Sequence, residues 1–131
     1  MKITGGCFCK QIQYTAEIDP ETVTVCHCTD CQINSGTAYG VVVGVVGEGF
    51  RLLDGNLTYY EKIADSGARR SLAFCSVCGT RIYAKPADDS AGVFGLRVGT
   101  IDQRERLVPR RQAWSKSALF WVSDLKGLEK V

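Results

Sequence analysis

The segment Phe74-Cys75-Ser76-Val77-Cys78-Gly79-Thr80 contains two cysteines in a C-x-x-C pair, followed at once by a glycine. A C-x-x-C turn directs two sulfur atoms to one ion, each about 2.3 Å from a zinc, and glycine allows the tight backbone that such a turn requires. Cys75 and Cys78 are therefore predicted metal ligands. A redox C-x-x-C pair would need a helix following a strand in an α/β neighbourhood, whereas the flanking residues here favour β-strands.

The other five cysteines lie in two clusters closer to the N-terminus. Cys7 and Cys9 form a C-x-C pair, and Cys26, Cys28 and Cys31 form a C-x-C-x-x-C triplet, which brings the total to seven. An odd number of thiols cannot all pair as disulfides within one chain, and a reducing cytosol keeps thiols free. A structural zinc takes four thiolates, whereas a catalytic zinc keeps three protein ligands and one open position. Seven cysteines therefore divide naturally into four and three.

The spacing leaves two ways of dividing them. A zinc-ribbon arrangement would join Cys28, Cys31, Cys75 and Cys78 and leave the other three over. The second arrangement joins the two distant pairs into one site and leaves the compact triplet as an open site. We favour the second arrangement, because three ligands within six residues can form a cup without help from elsewhere in the chain. The metal ion bound by the two distant pairs would then link separate parts of the fold.

Alternating apolar and polar residues predict a mainly antiparallel β fold. In residues 11–18, the apolar side chains Ile12, Tyr14, Ala16 and Ile18 would share one face of a half-buried strand. Further strands are expected at residues 22–25, 39–46, 51–53, 57–63, 71–75, 80–84 and 93–98, with turn signals at residues 54–56, 65–67 and 88–90.

Helix signals are sparse. Thr29 or Asp30 is expected to cap a short turn at residues 32–35 that stops at Gly36, which places Cys31 in its first turn. A second short helix is expected around residues 102–107.

Size and charge indicate a single globular unit. The 131 residues and 14.3 kDa fit one domain spanning residues 1–131, and the formal net charge of +2 is too small to indicate nucleic-acid binding. Residues 1–15 lack the apolar run of a signal peptide. The most apolar stretch, residues 38–46, is far shorter than the ~20 residues that span a bilayer. We therefore expect a cytoplasmic protein without a membrane span.

Three segments together resemble one known family. Gly5-Gly6-Cys7-Phe8-Cys9, Cys26-His27-Cys28-Thr29-Asp30-Cys31 with Ser35-Gly36 behind it, and the segment around Cys75 and Cys78 are similar to the glutathione-dependent formaldehyde-activating enzyme (GFA) family, which includes centromere protein V. The resemblance covers residues 4–131. It implies an Mss4-like fold of small antiparallel sheets.

The resemblance also implies two zinc ions per chain, one structural and one catalytic. The structural zinc would be held by Cys7, Cys9, Cys75 and Cys78, and the catalytic zinc by Cys26, Cys28 and Cys31. The implied reaction is the condensation of formaldehyde with glutathione to S-hydroxymethylglutathione, formally that of a carbon-sulfur lyase. The thiol substrate would occupy the open position of the three-cysteine site.

Two polar residues qualify this expectation. Gln112 stands where family members often have a histidine, so the substrate of this chain can differ from theirs. His27, the only histidine, lies between two predicted ligands and would point away from them in an extended segment. A structural role for His27 is favoured, and general acid catalysis and metal ligation remain alternatives.

The arginines at positions 104, 106, 110 and 111 form a basic cluster, and Arg69 and Arg70 lie just before the last cysteine pair. These residues form either a solvated face or an anion-binding rim, in which the arginines near Arg110 would meet the carboxylates of glutathione. Two other hypotheses for the whole chain remain. It can be a non-catalytic zinc-stabilised module that binds a protein or nucleic acid, or a protein with two structural zinc ions, the second completed by His27, water or a partner chain.

Overall fold

The computed structural model describes residues 1–88 and 92–131 as a β protein with one short α-helix in that part of the chain. Residues 89 and 90 of the predicted turn at 88–90 lie outside the described residues. The strands are β1 (Lys2–Gly6), β2 (Gln13–Cys26), β3 (Gly40–Asp54), β4 (Thr58–Ile63), β5 (Arg69–Phe74), β6 (Arg81–Pro86), β7 (Gly95–Arg97) and β8 (Arg111–Ala113). The helix α1 spans Thr29–Ser35, and single 3-10 turns lie at Val98–Thr100, Arg104–Arg106 and Ser115–Ser117.

The strands form one sheet in the order β1-β2-β3-β7-β6-β5-β4, with antiparallel neighbours throughout. The short strand β8 joins this sheet in parallel to the last residues of β2. The predicted mainly antiparallel β fold is confirmed. No helix in the described part of the chain has the length and apolar character that crossing a bilayer requires.

The core lies on the face predicted from the alternation in β2. Ile12, Tyr14, Ala16 and Ile18 are all buried. Tyr14 also shares a hydrogen bond with the hydroxyl of Thr100 (2.7 Å), so its one polar atom is paired. Burial of this apolar face fixes the register of β2, because a shift of one residue would turn the face to water.

Two of the observed strands are longer than predicted. β2 joins the predicted strands 11–18 and 22–25, and its pairing with β3 shifts register between Asp19 and Thr24, next to Pro20. β3 joins the predicted strands 39–46 and 51–53 through a segment in which Gly47 takes φ +54. Pro20 and Gly47 are turn signals in sequence, but here they sit in irregular stretches of otherwise continuous strands.

The helix begins earlier than expected. Its N-cap is Cys28, not Thr29 or Asp30, and the Cys28 sulfur accepts a hydrogen bond from the Cys31 amide (3.3 Å). The expected stop at Gly36 is confirmed by its left-handed conformation, φ +70. The second expected helix is reduced to the 3-10 turn Arg104–Arg106.

Candidate metal centres

Four cysteines from distant parts of the sequence meet at one end of the sheet. The sulfur atoms of Cys7, Cys9, Cys75 and Cys78 all lie within 4.8 Å of one another. The Cys9 sulfur is 3.5 Å from that of Cys7 and 3.8 Å from that of Cys75. A tetrahedron with zinc-sulfur distances of about 2.3 Å has edges of about 3.8 Å, whereas a disulfide needs a separation of about 2.05 Å. The group therefore fits a tetrahedral metal ion and contains no disulfide.

Local turns aim these four sulfurs inward. The amide of Gly79 donates to the Cys75 carbonyl (2.8 Å), and the Cys75 amide donates to the Thr80 carbonyl (2.9 Å). Gly79 has φ +77, and a Cβ atom added to it would meet no other atom within 4 Å. Glycine is therefore required there by backbone conformation and not by space. The Cys7 turn closes in a similar way, with the Cys7 amide donating to the Ile12 carbonyl (3.1 Å).

Hydrogen bonds to sulfur favour the thiolate form that a metal ion needs. The Thr80 hydroxyl lies 3.1 Å from the Cys78 sulfur, and this contact is the main cause that lowers the pKa of Cys78 to about 5. The Ile12 amide donates to the Cys7 sulfur (3.2 Å). N-H and O-H donors also satisfy the remaining lone pairs of metal-bound sulfur.

The other three cysteines form a second group near the opposite end of β2. The sulfurs of Cys26, Cys28 and Cys31 also lie within 4.8 Å of one another, and all three residues are half-buried. Cys26 is the last residue of β2, Cys28 caps α1 and Cys31 lies in the first turn of α1. The grouping of the seven cysteines into four and three follows the second arrangement above and not the zinc-ribbon one.

The three thiols differ in their acidity. Burial raises the pKa of Cys31 to about 12 and also raises the pKa of Cys26. Burial acts to raise the pKa of Cys28 as well, but hydrogen bonds from the Cys31 amide and from the neighbouring thiols outweigh it and lower the pKa. Three crowded thiols do not lose their protons together unless a cation compensates the charge, so this donor set also suits a metal ion.

The three-cysteine group opens into a cleft of about 700 Å³. The walls combine apolar side chains such as Val42, Leu72 and Phe94 with four basic residues, Lys62, Arg70, Arg97 and Arg111. Asp30 is the acidic residue among the described lining, and its carboxylate is paired with the Lys62 ammonium at 2.7 Å. The cleft is therefore concave, partly apolar and positively charged, which suits an anionic small molecule.

His27 does not line this cleft. It is only 2% exposed, and its Nε2-H donates to the Gln112 side-chain oxygen at 2.7 Å. Its ring packs edge-on against Tyr39, and its backbone amide donates to the Ala113 carbonyl. These contacts hold His27 on the side of the backbone opposite to the cysteine sulfurs, as alternation along an extended segment predicts. Of the three alternatives for His27, this burial and these contacts favour the structural one.

Gln112 faces His27 for the same reason. Its neighbours in β8, Arg111 and Ala113, line the cleft, whereas the Gln112 side chain turns to the other face. The departure from the family histidine therefore changes a contact beneath the site and not the described wall of the cleft.

The basic cluster is divided by the fold. Arg110 is paired with Glu21 at the surface (3.3 Å), and Arg104 donates to the Ile101 carbonyl. Arg111 alone of the cluster lines the cleft, with its Nε donating to the Thr24 hydroxyl (3.1 Å). Sequence reasoning missed Lys62 and Arg97. The available signal for Arg97 was a charged residue between the apolar Leu96 and Val98 of a predicted strand.

These features define a small antiparallel β protein with two cysteine clusters able to hold metal ions, one of them open to a basic cleft. The chain belongs to the glutathione-dependent formaldehyde-activating enzyme family, whose sequence profile matches residues 2–117. The fold is the Mss4-like arrangement that the resemblance implied. A crystal structure of a Rhodobacter sphaeroides protein, a structural genomics target, is similar with a TM-score of 0.64 and 18% identity, covering 86% of this chain and all of that one. Comparison with curated proteins gives no match.

Proposed function

We propose that this chain is a zinc enzyme that joins a thiol to a small aldehyde, with glutathione and formaldehyde as the pair that the family name indicates. The reaction is that of a carbon-sulfur lyase. The observation that carries the proposal is the three-cysteine group in the wall of the cleft, which contains no fourth His, Cys, Asp or Glu ligand within the described residues. Three protein ligands and one free position are typical of catalytic zinc sites.

The residues of the chain supply the rest of the chemistry. Cys26, Cys28 and Cys31 would hold the catalytic zinc, and that zinc would lower the pKa of an incoming thiol so that it reacts as a thiolate at neutral pH. The apolar side chains of Val42 and Phe94 line the same cleft as the three cysteines, where a small aldehyde would react. The thiolate sulfur then bonds to the carbonyl carbon, the π electrons move to the oxygen, and a proton from solvent completes the hydroxymethyl product.

The four-cysteine group has a different proposed role. Cys7, Cys9, Cys75 and Cys78 would hold a structural zinc, because four thiolates close the coordination shell and leave no position for a substrate. Two zinc ions per chain follow. We also propose a cytoplasmic location, since thiols in both groups must stay reduced to bind metal.

The test combines metal analysis with an assay for S-hydroxymethylglutathione, corrected for the uncatalysed reaction. We expect about two zinc ions per chain in the wild type and one in Cys28→Ala, with turnover lost in this variant and the fold kept. Lys130→Ala, at an exposed position far along the chain from all seven cysteines, serves as a surface control. Full turnover by Cys28→Ala would refute the catalytic role. Retention of the protein on DNA at physiological salt, with no turnover, would favour the binding-module hypothesis instead.

A further inference from the structure

Two arginines of the cleft lie close together without a carboxylate between them in the described structure. Arg70 and Arg97 both line the cleft. Partial burial lowers the pKa of Arg70, and the positive charge of Arg97 lowers it further. The four ion pairs that the structure describes do not include either guanidinium. Two like charges held together in a partly desolvated cleft repel each other, and an anion between them relieves that repulsion.

Arg97 is held against the three-cysteine group. Its Nη1 is buried and has no hydrogen-bond partner in the described structure. A Cβ atom on Gly40 would lie 2.6 Å from this nitrogen and 3.7 Å from the Cys31 sulfur. Gly40, which pairs with Cys26 at the start of β3, therefore leaves the space that the guanidinium occupies beside the thiols.

Backbone carbonyls anchor Arg70. Its Nη2 donates to the carbonyls of Ala84 (3.1 Å) and Val93 (2.9 Å). These two acceptors are uncharged, so they orient the guanidinium without removing its positive charge. A guanidinium fixed in this way is suited to a carboxylate, because its planar fork matches two oxygens at once.

We propose that Arg70 and Arg97 form the site that binds a carboxylate of the thiol substrate, and that this site selects anionic thiols over neutral ones. The inference rests on the proposed function, because it places the carboxylate in the same cleft as the reacting thiol. It assigns the selectivity to two arginines that line the cleft, and not to the cluster near Arg110. Glutathione, with two carboxylates, has the required chemistry.

Binding can be measured separately from turnover with S-methylglutathione, which carries the carboxylates but no free thiol. Titration calorimetry on the zinc-loaded protein is expected to show binding that weakens roughly 10- to 100-fold in Arg97→Gln and in Arg70→Gln, the loss typical of one charge-assisted hydrogen-bonding group. Arg97→Lys should retain more affinity than Arg97→Gln. The matched control is Arg69→Gln, because Arg69 precedes Arg70 on β5 but contacts the Glu61 carboxylate at the surface.

Two further measurements complement the arginine variants. The diethyl ester of S-methylglutathione should bind the wild type about as weakly as the free acid binds Arg97→Gln, and Arg97→Gln should not weaken ester binding further. Gly40→Ala, which places a methyl group where the Arg97 Nη1 lies, should also weaken binding of the free acid.

The outcomes separate this inference from the proposed function. Equal binding of acid and ester by the wild type would overturn the carboxylate site, as would unchanged affinity in Arg97→Gln and Arg70→Gln, even if turnover is normal. If the protein shows no turnover but S-methylglutathione binding still depends on Arg70 and Arg97, the site stands and the catalytic proposal falls.

Discussion

Replacing His27 by alanine distinguishes a structural histidine from a catalytic one. The substitution removes a ring that is 2% exposed and packs against Tyr39, and it breaks the bond to Gln112. Emptying a buried site of this size costs about 2–4 kcal/mol, and the hydrogen bond adds about 1 kcal/mol. The free energy of unfolding should therefore fall by about 3–5 kcal/mol. For a chain of this length that corresponds to a decrease of roughly 11–18 °C in Tm.

The assay is thermal and urea unfolding of the zinc-loaded protein, together with kcat at a temperature where the variant is fully folded. Gln112→Ala should cost only about 1 kcal/mol, because Gln112 is exposed and loses only the hydrogen bond. The double variant should be close to His27→Ala, since both single changes remove the same bond. A Tm within 2 °C of the wild type combined with a hundredfold loss of kcat would refute the structural role.

Three other perturbations test the cysteine groups. Chelation should empty the half-buried three-cysteine site first and unfold the chain only when the four-cysteine site loses its ion. A metal indicator measures the release of each ion, and circular dichroism measures unfolding. Simultaneous loss of both ions and the fold would contradict this order. Thr80→Val removes the donor that lowers the pKa of Cys78, so protons compete better with zinc for the Cys78 sulfur. Zinc should therefore be released at a higher pH than in the wild type. Zinc release at an unchanged or lower pH would contradict the role of the Thr80 hydroxyl. Gly79→Ala should destabilise the protein by about 1 kcal/mol in urea unfolding, through its positive φ alone, and a neutral effect would show that the turn relaxes.

The spacing of the cysteines predicted the site more completely than the alternation of apolar and polar residues predicted the fold. C-x-C and C-x-x-C spacings are local, so the chain itself brings those sulfurs close, and the triplet Cys26, Cys28 and Cys31 needs only one strand end and one helical turn. The buried face of β2 was also readable, because alternation is a local signal. The sequence predicted the strand boundaries less well. Pro20 and Gly47 suggest turns, but the strands that contain them continue past both residues.

Strands β1 and β8 were missed because neither has a strong local signal. β1 ends in two glycines, and at Gly5 a Cβ atom would lie 2.4 Å from the Tyr14 hydroxyl, so this glycine serves a close contact and not a turn. β8 has only three residues, which pair in parallel with the end of β2. Such a pairing is specified by a partner more than 80 residues away in the sequence, and no short window contains it.

By itself, the sequence determined the inventory of thiols, their local turns and the apolar face of β2, because each depends on residues within a few positions of one another. Only the tertiary structure decided which distant clusters meet and that His27 and Gln112 face each other beneath the site. It also decided that Arg97 and Arg70 line the same cleft as the three thiols while Arg110 lies apart at the surface. The physical reason is that strand pairing converts sequence distance into contact. The face on which a charged side chain emerges depends on a register that the whole sheet sets.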